Sequence, residues 1–121
     1  MRHPSLGLAA ALALTLGATA ASAHPKLLAV SPAAGVASAG SPRAIRMTFS
    51  EPIYPKFSGL TLKSLSGGVV KTGAATVDPA NRKQLVTPIT AVLKPGRYRV
   101  AWHAVSTDTH RVQGQFDFTV K

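Results

Sequence analysis

Lys94-Pro95-Gly96-Arg97-Tyr98-Arg99-Val100-Ala101-Trp102-His103 is the stretch that decides the fold. Pro95-Gly96 is a turn signal, and the residues after it alternate. Tyr98, Val100 and Trp102 fall on one side, and Arg97, Arg99, Ala101 and His103 on the other. A period of two marks a strand with one buried face, because successive side chains leave a pleated backbone in opposite directions. Two further stretches repeat the pattern. Ala44 to Phe49 sets Ile45, Met47 and Phe49 against Arg46 and Thr48, and Gln113 to Val120 sets Phe116, Phe118 and Val120 against Gln115, Asp117 and Thr119. Tyr98, Trp102, Phe49, Phe116 and Phe118 are the expected aromatic core.

Outward from these, Lys26 to Val30 is a short apolar run stopped by Ser31-Pro32, and Ala33 to Pro42 has the composition of a loop. Pro52 and Pro55 are expected to keep Glu51 to Lys56 extended, since a residue before proline is pushed out of the α region. Gly59 to Lys63 alternates, and Ser66-Gly67-Gly68 folds it back onto Val69-Val70 as a hairpin. The turn Asp78-Pro79-Ala80-Asn81 precedes a strand at Gln84-Leu85-Val86. No window after residue 23 combines helical periodicity with caps. About seven short strands in roughly a hundred residues predict an all-β protein, a two-sheet antiparallel sandwich of immunoglobulin-like type.

The 121 residues suffice for one small domain. Met1-Arg2-His3, the Leu/Ala run from Leu6 to Ala21 and the small-residue site Ala21-Ser22-Ala23 form the pattern of a cleaved signal peptide over residues 1–23. A membrane-spanning helix needs ~20 strongly apolar residues; this run is interrupted by Gly7 and Gly17, and no later segment is long and apolar enough. The expected mature domain is 24–121. Cysteine is absent, which removes disulfides and thiolate metal sites. The chain carries 14 Lys and Arg against 4 acids, of which cleavage would remove only Arg2. These cations are dispersed, without a tract or an interleaved aromatic platform, so they read as a solvated surface and not as a nucleic-acid site. With so few acids, Glu51, Asp78, Asp108 and Asp117 each become informative.

Nothing in the sequence resembles catalytic machinery of the common kinds: no Ser/His/Asp elbow, no Gly-rich phosphate loop and no close acidic pair. One constellation remains. Cleavage after Ala23 would make His24 the first residue, offering an amine and an imidazole that close a chelate ring on one metal ion. Pro25 has no amide N–H, so the ion cannot recruit the next backbone nitrogen and its remaining positions fall to groups elsewhere in the fold. Asp108-Thr109-His110 supplies a carboxylate and an imidazole at i and i+2, which project to the same side of an extended segment. Alone, that triplet is an ordinary surface turn. Together with His24 it gives a tetragonal nitrogen and oxygen set, the preference of Cu(II).

The order and spacing of several pieces then resemble the CopC family of periplasmic copper-binding proteins along the whole mature chain. The pieces are His24-Pro25-Lys26-Leu27, Ser31-Pro32-Ala33 with Gly35, Phe49-Ser50-Glu51, Phe57-Ser58-Gly59, Tyr98 to Trp102, Val105 to His110, and Gly114. The resemblance implies a Greek-key β-barrel or sandwich that is periplasmic, is not an enzyme, and binds one Cu(II) per chain in copper sequestration, resistance or delivery. It implies His24, His110 and Asp108 as ligands and Glu51 as an occasional ligand or outer partner. It also implies a monomer and, in some systems, a CopD-type inner-membrane protein as partner. One departure stands out: Met47 is the only methionine outside the signal segment and lies on the apolar side of its strand. A methionine-rich Cu(I) site, which soft thioethers would build, is therefore expected to be missing. His103 is expected at the surface. The rival readings are a histidine-brace copper oxygenase, disfavoured by the short chain, and a basic exported module that binds no metal.

Overall fold

Gly96–Val105 (β8), the strand that carries Trp102, forms the middle of a five-stranded sheet. The computed structural model describes residues 24–35 and 37–121; the expected signal segment lies outside the described residues. The other strands are β1 (Leu27–Ser31), β2 (Ala37–Ser38), β3 (Ala44–Phe49), β4 (Gly59–Ser64), β5 (Val69–Val70), β6 (Thr76–Asp78), β7 (Asn81–Pro88) and β9 (Arg111–Val120). They form two sheets, ordered β1-β3-β7-β6 and β2-β9-β8-β4-β5. The chain crosses from one sheet to the other after β1, β2, β3, β5 and β7, as in a Greek-key sandwich.

The inward faces meet as the alternation requires. Ile45, Met47 and Phe49 of β3 oppose Tyr98, Val100, Trp102 and Ala104 of β8, with Leu62, Leu85, Phe118 and Val120, and all are buried. Phe49 and Trp102 pack edge to face at 5.4 Å, and Tyr98 stacks on Phe118 at 5.5 Å. Each fully buried side chain of this size contributes about 1.5–3 kcal/mol, the main stabilisation open to a chain without disulfides. On the outer face, Arg99 grips Asp117 through Nε at 2.8 Å and its terminal nitrogen at 3.1 Å, with Arg97 at 3.6 Å. The Arg99 hydrogen bond, ahead of the charges of Arg99 and Arg97, holds the Asp117 carboxyl below its ordinary range.

Four local expectations need correction. Two short strands, β2 and β6, lie where a loop and an unassigned stretch were expected. Their pairing comes from neighbouring backbone, not from a side-chain pattern of their own. β2 also runs parallel to β9, so the sandwich is not wholly antiparallel. Pro55–Phe57 is a 3-10 turn, not extended chain. Proline at its first position suits such a turn, and the preceding Tyr54 is extended as expected (φ −82, ψ 104). Finally, Phe116 is only half-buried, because β2 covers β9 at Thr119 and Val120 and leaves its first half as an edge.

Gly114 is where a side chain would be felt most. It pairs with Trp102 across β8 and β9, and a Cβ there would lie 2.8 Å from Trp102 Cζ2 and 3.1 Å from Cε2. The indole cannot yield without disturbing Phe49. Gly114→Ala is therefore expected to destabilise the fold by about 1–3 kcal/mol, read by urea unfolding followed through the single tryptophan. An unchanged midpoint would mean that the indole has room to move.

Candidate metal centre

The candidate site forms where the first described residues, His24 to Lys26, meet the β8–β9 turn. Lys26 is clamped to the end of β3 twice: its N–H donates to Ser50 Oγ (2.8 Å) and its carbonyl accepts from Ser50 N–H (2.8 Å). Pro25 is buried, while His24 is exposed beyond it. That clamp brings the His24 ring against the His110 ring, edge to face, with centroids 5.0 Å apart and planes at 82°. The two imidazoles that the sequence separates are neighbours in the fold.

The opposite wall is the tight turn Ser106–His110. Ser106 N–H donates to the His110 carbonyl (2.9 Å) and Thr109 N–H to the Ser106 carbonyl (2.8 Å). Closing this turn sets Thr109 in the left-handed region (φ 70), which a β-branched residue rarely adopts and which costs about 1–2 kcal/mol. The turn is tied to the β3–β4 connection by Thr107 N–H to the Pro52 carbonyl (3.0 Å) and by an isolated bridge between Ile53 and Ser106.

Asp108 and His110 stand side by side, with Oδ1 and Nδ1 3.3 Å apart. The approach is too poorly aligned to count as a hydrogen bond, so the buried Nδ1 of His110 has no hydrogen-bond partner among the described residues. A buried polar atom left in that state normally has a partner to find. The hydroxyl of Ser106 donates to Asp108 Oδ1. That bond, ahead of the smaller influence of His110 and against partial burial, lowers the Asp108 pKa and keeps it an anionic donor.

Glu51 lies between two residues whose hydrogen bonds hold the candidate centre together. Its neighbour Ser50 holds Lys26, its neighbour Pro52 holds Thr107, and Glu51 itself makes no ion pair among the described residues. Nor do three His, Asp or Glu side chains converge as a ready metal cage among those residues. Two contacts exist, His24 with His110 and His110 with Asp108, and the His24 nitrogen is an amide to Ala23 in the full sequence. His103 sits on the outer face beside Gly59. Met47 is fully buried and offers no thioether to solvent.

Sequence reasoning missed Ser106. It is buried, and its hydroxyl touches the Asp108 carboxylate and lies 3.3 Å from the His110 N–H. Serine two residues before an aspartate is too common to single out without the turn. Ser106→Ala is expected to weaken metal binding about 10–100-fold, the usual cost of losing a ligand's supporting partner, with the secondary structure unchanged. Equal affinity for the variant would mean that the turn orients its ligands without this hydroxyl.

The family model described as the CopC domain matches residues 27–121. The chain belongs to the CopC family. The CopC-family relatives include the copper resistance protein C of Escherichia coli, 42% identical over 110 residues, 86% of this chain and 86% of that one. The crystal structure of PcoC, a methionine-rich copper resistance protein from Escherichia coli, superposes with a TM-score of 0.72 at 36% identity, covering 82% of this chain and all of that one. CopC from Methylosinus trichosporium OB3b superposes with a TM-score of 0.74 at 28% identity, over 81% and 94% of the two chains. These CopC structures share the two-sheet fold derived above.

Proposed function

We propose that the protein is a periplasmic copper-binding protein that holds one Cu(II) per chain in copper resistance, sequestration or delivery. Membership of the CopC family carries the copper. The observation that carries the site is the edge contact of the His24 and His110 rings at 5.0 Å, with the unpartnered Nδ1 of His110 beside Asp108. Two imidazoles, the His24 amine freed by cleavage of residues 1–23, and the Asp108 carboxylate form a donor set that suits Cu(II). Glu51 serves as an outer partner at the rim. The buried Met47 leaves no soft thioether donor for Cu(I).

The protein works as a carrier and not as an enzyme. Binding needs the amine and the imidazoles deprotonated, so affinity falls on acidification. A monomer suffices, because every proposed ligand comes from one chain, and a CopD-type inner-membrane protein is the proposed partner. Mass spectrometry of the exported protein, with and without Cu(II), tests the terminus and the stoichiometry together. The expected species begins at His24 and gains one copper. A chain retaining residues before His24, or a mass unchanged by copper, would overturn the reading. Reductant-dependent peroxide formation by the copper form would overturn the carrier role.

A further inference from the structure

The end of the sandwich farthest from His24 carries an apolar and basic surface that the copper reading does not use. The β4–β5 hairpin tip and the segment between β7 and β8 lean together there. Leu65 N–H donates to the Arg97 carbonyl (3.0 Å), Thr90 Oγ1 to the Lys71 carbonyl (3.2 Å), and Thr72 bridges Ile89. Between them lies a cleft of about 560 Å3, with the buried ring of Tyr98 among its lining residues. Its lining includes Val92, 86% exposed, and Val69, 70% exposed, and Leu65, 42% exposed, stands next to it in the hairpin tip between the lining residues Ser64 and Ser66. Three bare aliphatic side chains on adjoining turns mark an interaction surface.

The cations are spread over both ends, but the acids are not. Lys71 and Lys94 line the cleft, and Lys63 faces Val69 across the hairpin. Arg43 lines a second hollow on the other side of Val92. No acid lines either hollow. Three of the four acids, Glu51, Asp78 and Asp108, belong to the opposite end: Pro52 bonds Thr107 there, and Asp78 pairs with Asn81 at the start of β7. The fourth, Asp117, is occupied by Arg99 and Arg97.

We propose that this end docks on an anionic phospholipid surface, with Val92, Val69 and Leu65 entering the headgroup layer and Lys63, Lys71, Lys94 and Arg43 meeting the phosphates. Shallow apolar insertion ringed by lysines is how a protein rests on a membrane without crossing it. β8 spans the molecule from Gly96 to Val105, and at a strand rise of about 3.3 Å per residue the copper site stands roughly 30 Å from the lipid.

Vesicle co-sedimentation of the metal-free exported protein, its terminus checked by mass, tests the proposal. Binding is expected to phosphatidylglycerol/phosphatidylethanolamine vesicles and not to phosphatidylcholine vesicles, and to weaken with added salt. Val92→Asp and Lys94→Glu are each expected to reduce it at least about tenfold. Lys83→Glu makes the same charge change on an exposed residue toward the other end of β7, and should reduce it far less. No binding to the anionic vesicles, or equal losses for Lys94→Glu and Lys83→Glu, would overturn the proposal. So would binding to polyglutamate without binding to vesicles, which would assign the surface to an acidic polypeptide.

Discussion

Replacing His110 with alanine is expected to lower the Cu(II) affinity of the processed protein by at least about 100-fold, because losing a direct donor costs more than the 10–100-fold of a supporting partner. The imidazole meets His24 at 5.0 Å and stands beside Asp108 at 3.3 Å, so it is the one side chain common to both contacts of the site. Its removal leaves His24 and Asp108 without the donor between them. The side chain is 44% exposed on a turn whose hydrogen bonds use the His110 backbone, so the metal-free fold should be barely altered. Competition against a Cu(II) chelator, with the metal-free melting temperature as control, separates the two effects. Wild-type affinity in the variant would remove the β8–β9 turn from the site.

Extending the chain by one glycine before His24 is expected to be as damaging, again at least about 100-fold by the same comparison. The added peptide bond turns a basic amine into an amide, whose nitrogen lone pair is delocalised into the carbonyl. Pro25 cannot compensate, because it has no amide hydrogen to lose. The imidazole of His24 stays in place, so the loss isolates the amine. An extended protein that binds copper as tightly as the processed one would show that the amine is no ligand. The metal-free stability is expected to be indifferent, since His24 is exposed and the chain is anchored by Pro25 and Lys26.

The parts of the fold legible in the sequence were those with a side-chain pattern. β3 runs from Ala44 to Phe49 as its alternation predicts, and the Gly67-Gly68 turn does return Val69-Val70 onto β4. β2 and β6 were not legible, because two or three residues carry no period and are drawn into a sheet by the neighbour already there. The 3-10 turn at Pro55 was missed for a related reason: proline excludes the preceding residue from the helical region but is itself well suited to start a turn. At the centre, residue types could nominate His24, Asp108 and His110 but not their distances. Only the pair of hydrogen bonds between Lys26 and Ser50 explains why His24 reaches the β8–β9 turn. Ser106 was hidden, since its role depends on the left-handed Thr109 that folds the turn over it.

The meeting of His24 and His110 has a further consequence for a chain without cysteine. These residues lie 86 positions apart (110 less 24), so an ion held by both would fasten the proposed amino terminus at His24 to the last hairpin. Such a metal acts as a removable cross-link. Unlike a disulfide, it would act on the folded state alone, because a ligand bound only by the folded form stabilises it in proportion to the logarithm of its concentration. Loading would therefore lock the amino terminus against fraying and proteolysis, and surrendering the cargo would unlatch it.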